Sequence, residues 1–417
     1  MLRRLAILTL LALPAQAQLV AGPWVDRAEA RIREHRMADL EVRVLDARDR
    51  PVAGARVRVT QLRHAFPFGV ELPAGEPALL EKVGDPDLPV WRGLSSVSLA
   101  AYSAWPVLQP EGPQTDPGAA RLLGGLLDRA RVRGLRVRVA PLAPGDPADR
   151  PGWAAGLPPA EREQAAVGFF RALAGRLRGR VHAADLASSV VDHPWLDAGG
   201  LRRLGHAARA AWAPAGAGGA GPPVRLGLGV RGALEEDRGG AVLAEAAPLR
   251  QAFLPVDGVT TPLTLTGATP PEELERTLQR LTTFAVEAAV VPLSVGGPPA
   301  DQPFGLEGAL ILLFAEPRVT EVQLAGVEPG REDALFDAAG NPTAGGEAVD
   351  ALIAGRWWTA EVGATDTLGD ARFRVFAGLH RVEVELPGGE AGSAEVAVGA
   401  GGASLAVAGE AREKERE

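Results

Sequence analysis

Asp192 and His193 are adjacent, and an Asp–His pair is the simplest proton-relay unit in the chain. Neighbouring residues rarely face each other, so the pair reads first as a loop cap or surface pair. Asp185 ends an apolar run and reads as a residue holding a strand end rather than one doing chemistry. The six histidines, at positions 35, 64, 182, 193, 206 and 380, show no metal-ligand spacing, so no metal site is expected. The absence of cysteine excludes disulfides, thiolate nucleophiles, Cys-ligated zinc and iron–sulfur clusters. The glycine-rich run at 216–221 neither follows a strand nor opens a helix. It therefore reads as a loop and not as a phosphate cradle, and no cofactor is expected.

The elements that must position any site come from 417 residues, enough for two or three domains. The chain is 46% hydrophobic and 23% charged, within the range of globular proteins. A net charge of −8 gives no basic footprint for nucleic acid. Lys82 and Lys414 are the only lysines and Asn341 the only asparagine, a bias that speaks of a GC-rich genome more than of a function.

Residues 1–17 read as a secretory signal. Arg3 and Arg4 precede the apolar run Leu5 to Leu13, and Ala15-Gln16-Ala17 supplies a small-x-small site for cutting before Gln18. Secretion or export to the periplasm is expected. No stretch reaches the roughly 18 apolar residues of a membrane span.

Strings such as "DLEVRVLD" and "ARVRVTQL" alternate apolar and charged residues and predict two strands in an N-terminal β-module, 36–63. Similar short runs between Gly-rich turns predict a C-terminal β-module, 357–408, ahead of a charged, disordered tail at 409–417. Between the modules, in 64–356, strand-like and helical patterns alternate. Strands are predicted at 66–71, 95–102, 135–140, 181–187, 224–229, 256–260, 288–293 and 319–324. A helix at 117–132 places Leu122, Leu126 and Ala130 on one face, beside Leu123 and Leu127. Another near 271–285 opens with Thr269 and Glu272 as a capping box. Eight strands separated by helices predict an α/β fold: a (β/α)8 TIM barrel flanked by a β-sandwich-like module built from N- and C-terminal strands. Strand number and length favour the barrel over a doubly wound open sheet.

The segment 31–72, with Phe66-Pro67-Phe68-Gly69 opening the barrel, resembles the start of the catalytic barrel of family-ten glycoside hydrolases, the endo-1,4-β-xylanases. The similarity continues in order along nearly the whole mature chain. "AYSAWPVLQPEG" (101–112) is similar to "N-x-x-K-W…x-P-E-x-G". "RVRGLRVRVAPL" (131–142) is similar to the strand that carries "G-H", and Pro151-Gly152-Trp153 to "P-x-W". "GRVHAADLASSVVDHPWL" (179–196) is similar to "G-x-V…W-D-V-V-N-E…H-P-W-L", and "VDGV" (256–259) to "I-D-G-I". The succession of these motifs in the family's order carries the resemblance.

The resemblance implies polysaccharide of the xylan type as partner and a retaining mechanism with two carboxyl groups about 5–5.5 Å apart. It also implies that both are missing. Ser189 stands at the acid/base position and Leu293 at the nucleophile position, and no carboxylate occurs between Glu287 and Asp301. The sugar-binding lysine is Ala104, "G-H" is Val139-Ala140, "Q-x-H" falls on Pro262 and Thr264, and "G-F-W" on Ala325-Gly326-Val327-Glu328. Glu287 would sit at the bottom of the barrel, in a structural role. Trp105 is the candidate substrate-binding platform, with core packing as its alternative. Trp153, Trp195, Trp357 and Trp358 read as packing residues.

Three expectations follow: a non-catalytic glycan-binding or interaction protein, an active O-glycosyl hydrolase with relocated carboxylates (Asp192 with an acidic residue from another loop), or a structural, envelope-associated protein.

Overall fold

Alternation decides the two ends of the chain. In the computed structural model, residues 22–409 are described, except 189, 193, 213–223, 236 and 252–255; for 148 and 247–251 only the backbone is. The signal at 1–17, the glycine run at 216–221 and residues 410–417 of the tail lie outside the described residues.

Strand β1 (Met37–Leu45) buries every second residue, and so does β2 (Arg56–His64) as far as Gln61. Eight strands follow: β3 (Phe68–Glu71), β4 (Ser96–Ser98), β5 (Arg136–Val139), β6 (Ala183–Ala187), β7 (Arg225–Gly229), β8 (Gly258–Thr266), β9 (Ala288–Gly296) and β10 (Val319–Leu324). Five more close the chain: β11 (Ala360–Ala364), β12 (Asp370–Phe376), β13 (Gly378–Glu385), β14 (Ala391–Val398) and β15 (Ala403–Ala408). β3 to β10 form a closed parallel barrel, with β10 pairing back onto β3. This is the predicted TIM barrel.

The end strands build two further sheets, β12-β1-β15 and β11-β2-β13-β14. Leu40, Val42 and Val44 of β1 pack with Val57 and Val59 of β2 and Val382 and Val384 of β13 in a core of their own. Fully burying each such side chain contributes roughly 1.5–3 kcal/mol. The intervening Arg and Glu residues face solvent and pair across strands, as Arg43 does with Asp370 at 2.7 Å.

Sandwich and barrel are pinned at Arg36. It follows the helix Pro23–His35, whose Trp24, Ala28 and Ile32 are buried. Its guanidinium donates to the carbonyls of Phe314 (2.7 Å), Glu316 (2.6 Å) and Val319 (2.9 Å) and covers the Phe66 ring at 4.6 Å.

Three local expectations are corrected. In the helix Pro117–Val132 the buried stripe is Ala120, Leu123, Leu126, Leu127 and Ala130; Leu122 lies outside that arc, 43% exposed. Pro270 caps the helix Pro271–Thr283 without a side-chain bond, because the Thr269 hydroxyl instead accepts from the Thr266 N–H at 3.1 Å, closing the turn out of β8. β8 and β9 also run past their predicted ends. Beyond an irregularity near Pro262 they stay paired from Leu263↔Leu293 to Thr266↔Gly296, a ribbon standing on the barrel rim.

Candidate functional site

Strand periodicity places the side chains of the barrel. In β5, Val137 and Val139 point to the helices and belong to the main core, so Arg138 points inward. The same parity turns Asp185 of β6, Thr260 of β8, and Glu321 and Gln323 of β10 inward. Arg138 donates to Glu321 Oε2 (2.7 Å from Nη2) and to Asp185 Oδ1 (3.0 Å from Nη1). Thr260 donates to Asp185 at 2.5 Å, and Gln323 to Glu321 Oε1 at 2.7 Å and Ser96 at 2.8 Å. All of these residues are buried. Gly69 and Gly227 make room for them. A Cβ on Gly227 would sit 2.5 Å from both Asp185 Oδ1 and Thr260 Oγ1, and one on Gly69 would collide with Ser96 and Gln323.

Burial opposes the charge on Arg138, but Glu321 and Asp185 outweigh it and hold the guanidinium above its ordinary range. Burial also opposes ionisation of Glu321, where Arg138 and His182 prevail and lower its pKa. Asp185 is raised, because burial exceeds its share of Arg138. A barrel interior is ordinarily filled by bulky apolar layers; this one is filled by an ion-pair network.

Above the network, the C-terminal strand ends enclose a cavity of about 460 Å³ whose lining includes Glu71, Asp149, Asp185, Ser188, Arg231 and Pro262. Glu71 ends β3, and burial raises its pKa against the pull of Arg331. Asp149 is raised by burial and then by neighbouring Asp146. Arg231 pairs with Asp146 at 2.9 Å. A larger groove, about 980 Å³, lies on the outer wall between helices Pro159–Leu177 and Ala198–Trp212. Barrels place their chemistry at strand ends, which favours the smaller cavity as the site.

The residues singled out in the sequence fall in different places. Leu293 is on β9, 1% exposed and apolar-packed. Ser189 and His193 lie outside the described residues. Ser188, next to the acid position, lines the cavity and accepts from the Gly145 N–H at 3.1 Å. Ala140 and Pro262 also line it. Asp192 pairs with Arg238 at 2.8 Å on the surface. Glu287 pairs with Arg225 at 2.5 Å; it directly precedes β9, at the opposite end of the barrel.

Trp105 is corrected from sugar platform to packing residue. It is 1% exposed, stacked on Phe169 at 5.1 Å, edge-on to Trp153 and Trp195, with its N–H given to Gln109 at 2.8 Å. No sugar face reaches it as packed. Trp357 stacks on Phe68, and Trp358 stands edge-on to His64.

The sequence reading missed Glu71 and the Arg138 network. Part of the signal was there, the polar residues though not their partners: a strand buried on both faces reads as continuously apolar, whereas "RVRV" carries Arg138 and "VTEVQL" carries Glu321 and Gln323 two positions apart. Among the described residues no group of three His, Asp or Glu side chains is placed to hold a metal ion.

A closed eight-stranded parallel barrel with a ligand-sized cavity at its strand ends defines the class: a TIM-barrel protein. No family model and no curated protein sequence matches the chain. Solved structures do. Xylanase 10B from Thermotoga maritima aligns with a TM-score of 0.56 and 15% identity over 70% of this chain and 95% of its own. Xylanase 10B from Thermotoga petrophila RKU-1, in complex with xylobiose, gives 0.56 and 14% over 70% and 94%. A GH10 protein from Paenibacillus barcinonensis gives 0.55 and 16% over 69% and 94%. The particular barrel is therefore GH10-xylanase-like, a likeness of fold alone at these identities.

Proposed function

We propose that this chain is an exported, xylanase-like barrel protein that holds a xylan-type glycan at its strand-end cavity without cutting it. One observation carries the reading: the β9 position matched to the family's nucleophile is Leu293, apolar and buried, and no carboxylate lies between Glu287 and Asp301 to replace it. A leucine offers no lone pair to an anomeric carbon, and Ser189 at the acid/base position is far too weak an acid to protonate a leaving sugar. Of the cavity's carboxylates, Asp185 is committed to Arg138 and Thr260. The xylobiose bound by the Thermotoga petrophila structure supports a xylo-oligosaccharide as the ligand class.

A second reading has its own support. Glu71 and Asp149 line the cavity with pKa values raised by burial, as a general acid requires. An O-glycosyl hydrolase acting on xylan-type polysaccharide would use them as relocated carboxylates.

One experiment separates these. Purified protein is incubated with insoluble xylan and with aryl-xylosides. The binding reading expects retention on xylan and no reducing ends. Release of reducing ends that disappears in Glu71→Gln or Asp149→Asn establishes the hydrolase. Neither retention nor release leaves the structural, envelope-associated protein. N-terminal sequencing of mature protein from the periplasm or medium tests export; a start at Gln18 is expected.

A further inference from the structure

The strand-end cavity has on its floor an oxygen that no group of the described chain uses. Asp185 takes both of its hydrogen bonds, from Arg138 at 3.0 Å and from Thr260 at 2.5 Å, on Oδ1. Its Oδ2 receives none, yet it is not among the buried polar atoms closed off from solvent. The side chain is only 10% exposed, and it lines the cavity. Strand parity aims a second carboxylate at the same space. Phe68 and Val70 of β3 belong to the main core, so Glu71 points inward. Glu71 is half-buried and has no cation at ion-pairing distance among the described residues; Arg331, whose charge reaches it, is bound to Asp333 at 2.7 Å. The room comes from small inward residues, since Ser98, Ala140 and Gly229 stand where a barrel ordinarily carries bulky side chains. The cations of the lining are spent. Arg138 is divided between Asp185 and Glu321, and Arg231 holds Asp146 at 2.9 Å. Burial raises the pKa of both Asp185 and Glu71, as expected of carboxylates short of positive charge. No aromatic ring is among the described residues of the lining, so a ligand here is held by its polar groups and not by stacking.

We propose that the ligand of this cavity carries a protonated primary amine, its ammonium held by Asp185 Oδ2 and Glu71. An ammonium brings three N–H donors and the missing positive charge to carboxylate oxygens that lack a partner. The inference rests on the strand-end cavity being the ligand site; within the glycan reading it makes the bound residue an amino sugar.

The test is calorimetric titration of the full chain, near neutral pH, with glucosamine and with glucose, which share a ring and differ at one substituent. Saturable one-site binding of glucosamine, about tenfold or more tighter than that of glucose, is expected, the scale of one charged hydrogen bond. Asp185→Asn keeps an acceptor for Arg138 and Thr260 but removes the charge, and should weaken glucosamine by a similar factor. Glu71→Gln should do the same; standing outside the Arg138 network, it keeps the test alive if Asp185→Asn fails to fold. Cyclohexylamine keeps the ammonium and the ring without the hydroxyls. Binding as tight as glucosamine identifies an apolar amine as the source, and weaker binding an amino sugar. Glucosamine binding no tighter than glucose overturns the proposal, as does binding that Glu71→Gln or a folded Asp185→Asn leaves unchanged. Xylobiose is titrated in parallel. If it binds and glucosamine does not, the amine fails and the xylan reading stands; if neither binds, both fail.

Discussion

Arg138 Nη2 lies 2.7 Å from Glu321 Oε2 inside a closed barrel, both residues buried. Two strands that are not neighbours, β5 and β10 with β3 and β4 between them, are thereby tied across the barrel interior, and Asp185 of β6 shares the same guanidinium. Arg138→Met leaves two carboxylates buried without their cation. Removing one partner of a buried pair costs roughly 3–5 kcal/mol, so a large fall in the urea midpoint is expected. Replacing Arg138, Asp185 and Glu321 together by Met, Leu and Leu should recover most of that loss, because an apolar core leaves no charge unpaired. A single variant as stable as the parent would remove the network from the stability of the barrel.

Acid should destabilise the junction of barrel and sandwich before it reaches the carboxylates. His64 is buried with its Nε2–H given to the Ile353 carbonyl and its Nδ1 accepting from Gln61, both at 3.0 Å. Gln61 is fixed in that orientation by the Thr359 N–H on its oxygen. A second proton on His64 would face the Gln61 amide hydrogens. Burial pushes His64 down to about 4, and does the same for His380 nearby. Both folded pKa values lie below the ordinary 6.5, so between 6.5 and about 4 the unfolded chain binds protons that the folded chain does not. Stability therefore falls as pH falls through that window. Urea midpoints measured from neutral pH to about pH 4 should decline steadily; a flat profile across that range refutes the account. Asp46, held down to about 2 by Arg50, adds its own loss only at lower pH.

Trp105→Ala separates packing from recognition. The indole sits among Phe169, Trp153 and Trp195, and truncating a buried Trp costs roughly 3–5 kcal/mol. A lower thermal midpoint is expected, with xylan retention per folded molecule unchanged and Trp105→Phe intermediate in stability. Loss of retention in a fully folded Trp105→Phe would return the residue to the binding site.

Why some of this was legible in the sequence and some was not follows from what each residue answers to. β6, β7 and β10 start within two residues of their predicted positions, because apolar runs between turn residues are local signals. The sandwich was legible for the same reason: period-two alternation in "EVRV" and "RVRV" needs only one buried face. The Arg138 network was not, since its partners lie 47 and 183 residues away in sequence; strand parity points a side chain inward without naming what it meets. Trp105 misled for a related reason. An indole that packs and one that stacks on a sugar have the same local sequence, and only distant partners such as Phe169, stacked on it at 5.1 Å from the helix Pro159–Leu177, distinguish them.

The polar interior requires its glycines, which gives a test at two positions of the same residue type. At Gly227 a methyl group would stand 2.5 Å from Asp185 Oδ1 and Thr260 Oγ1, forcing apart a hydrogen bond that is itself 2.5 Å long. Gly227→Ala should cost roughly 1–3 kcal/mol or more, the scale of overpacking a filled core. Gly168 lies on the exposed side of the helix Pro159–Leu177, with nothing within 4 Å of the point where a Cβ would stand. There alanine removes backbone freedom from the unfolded chain and should stabilise by up to about 1 kcal/mol. The two substitutions add the same single carbon, so opposite shifts in the urea midpoint isolate the crowding around Asp185. Equal shifts would mean that the interior yields to a methyl group, and that Arg138, Asp185 and Thr260 are held less tightly than their distances imply.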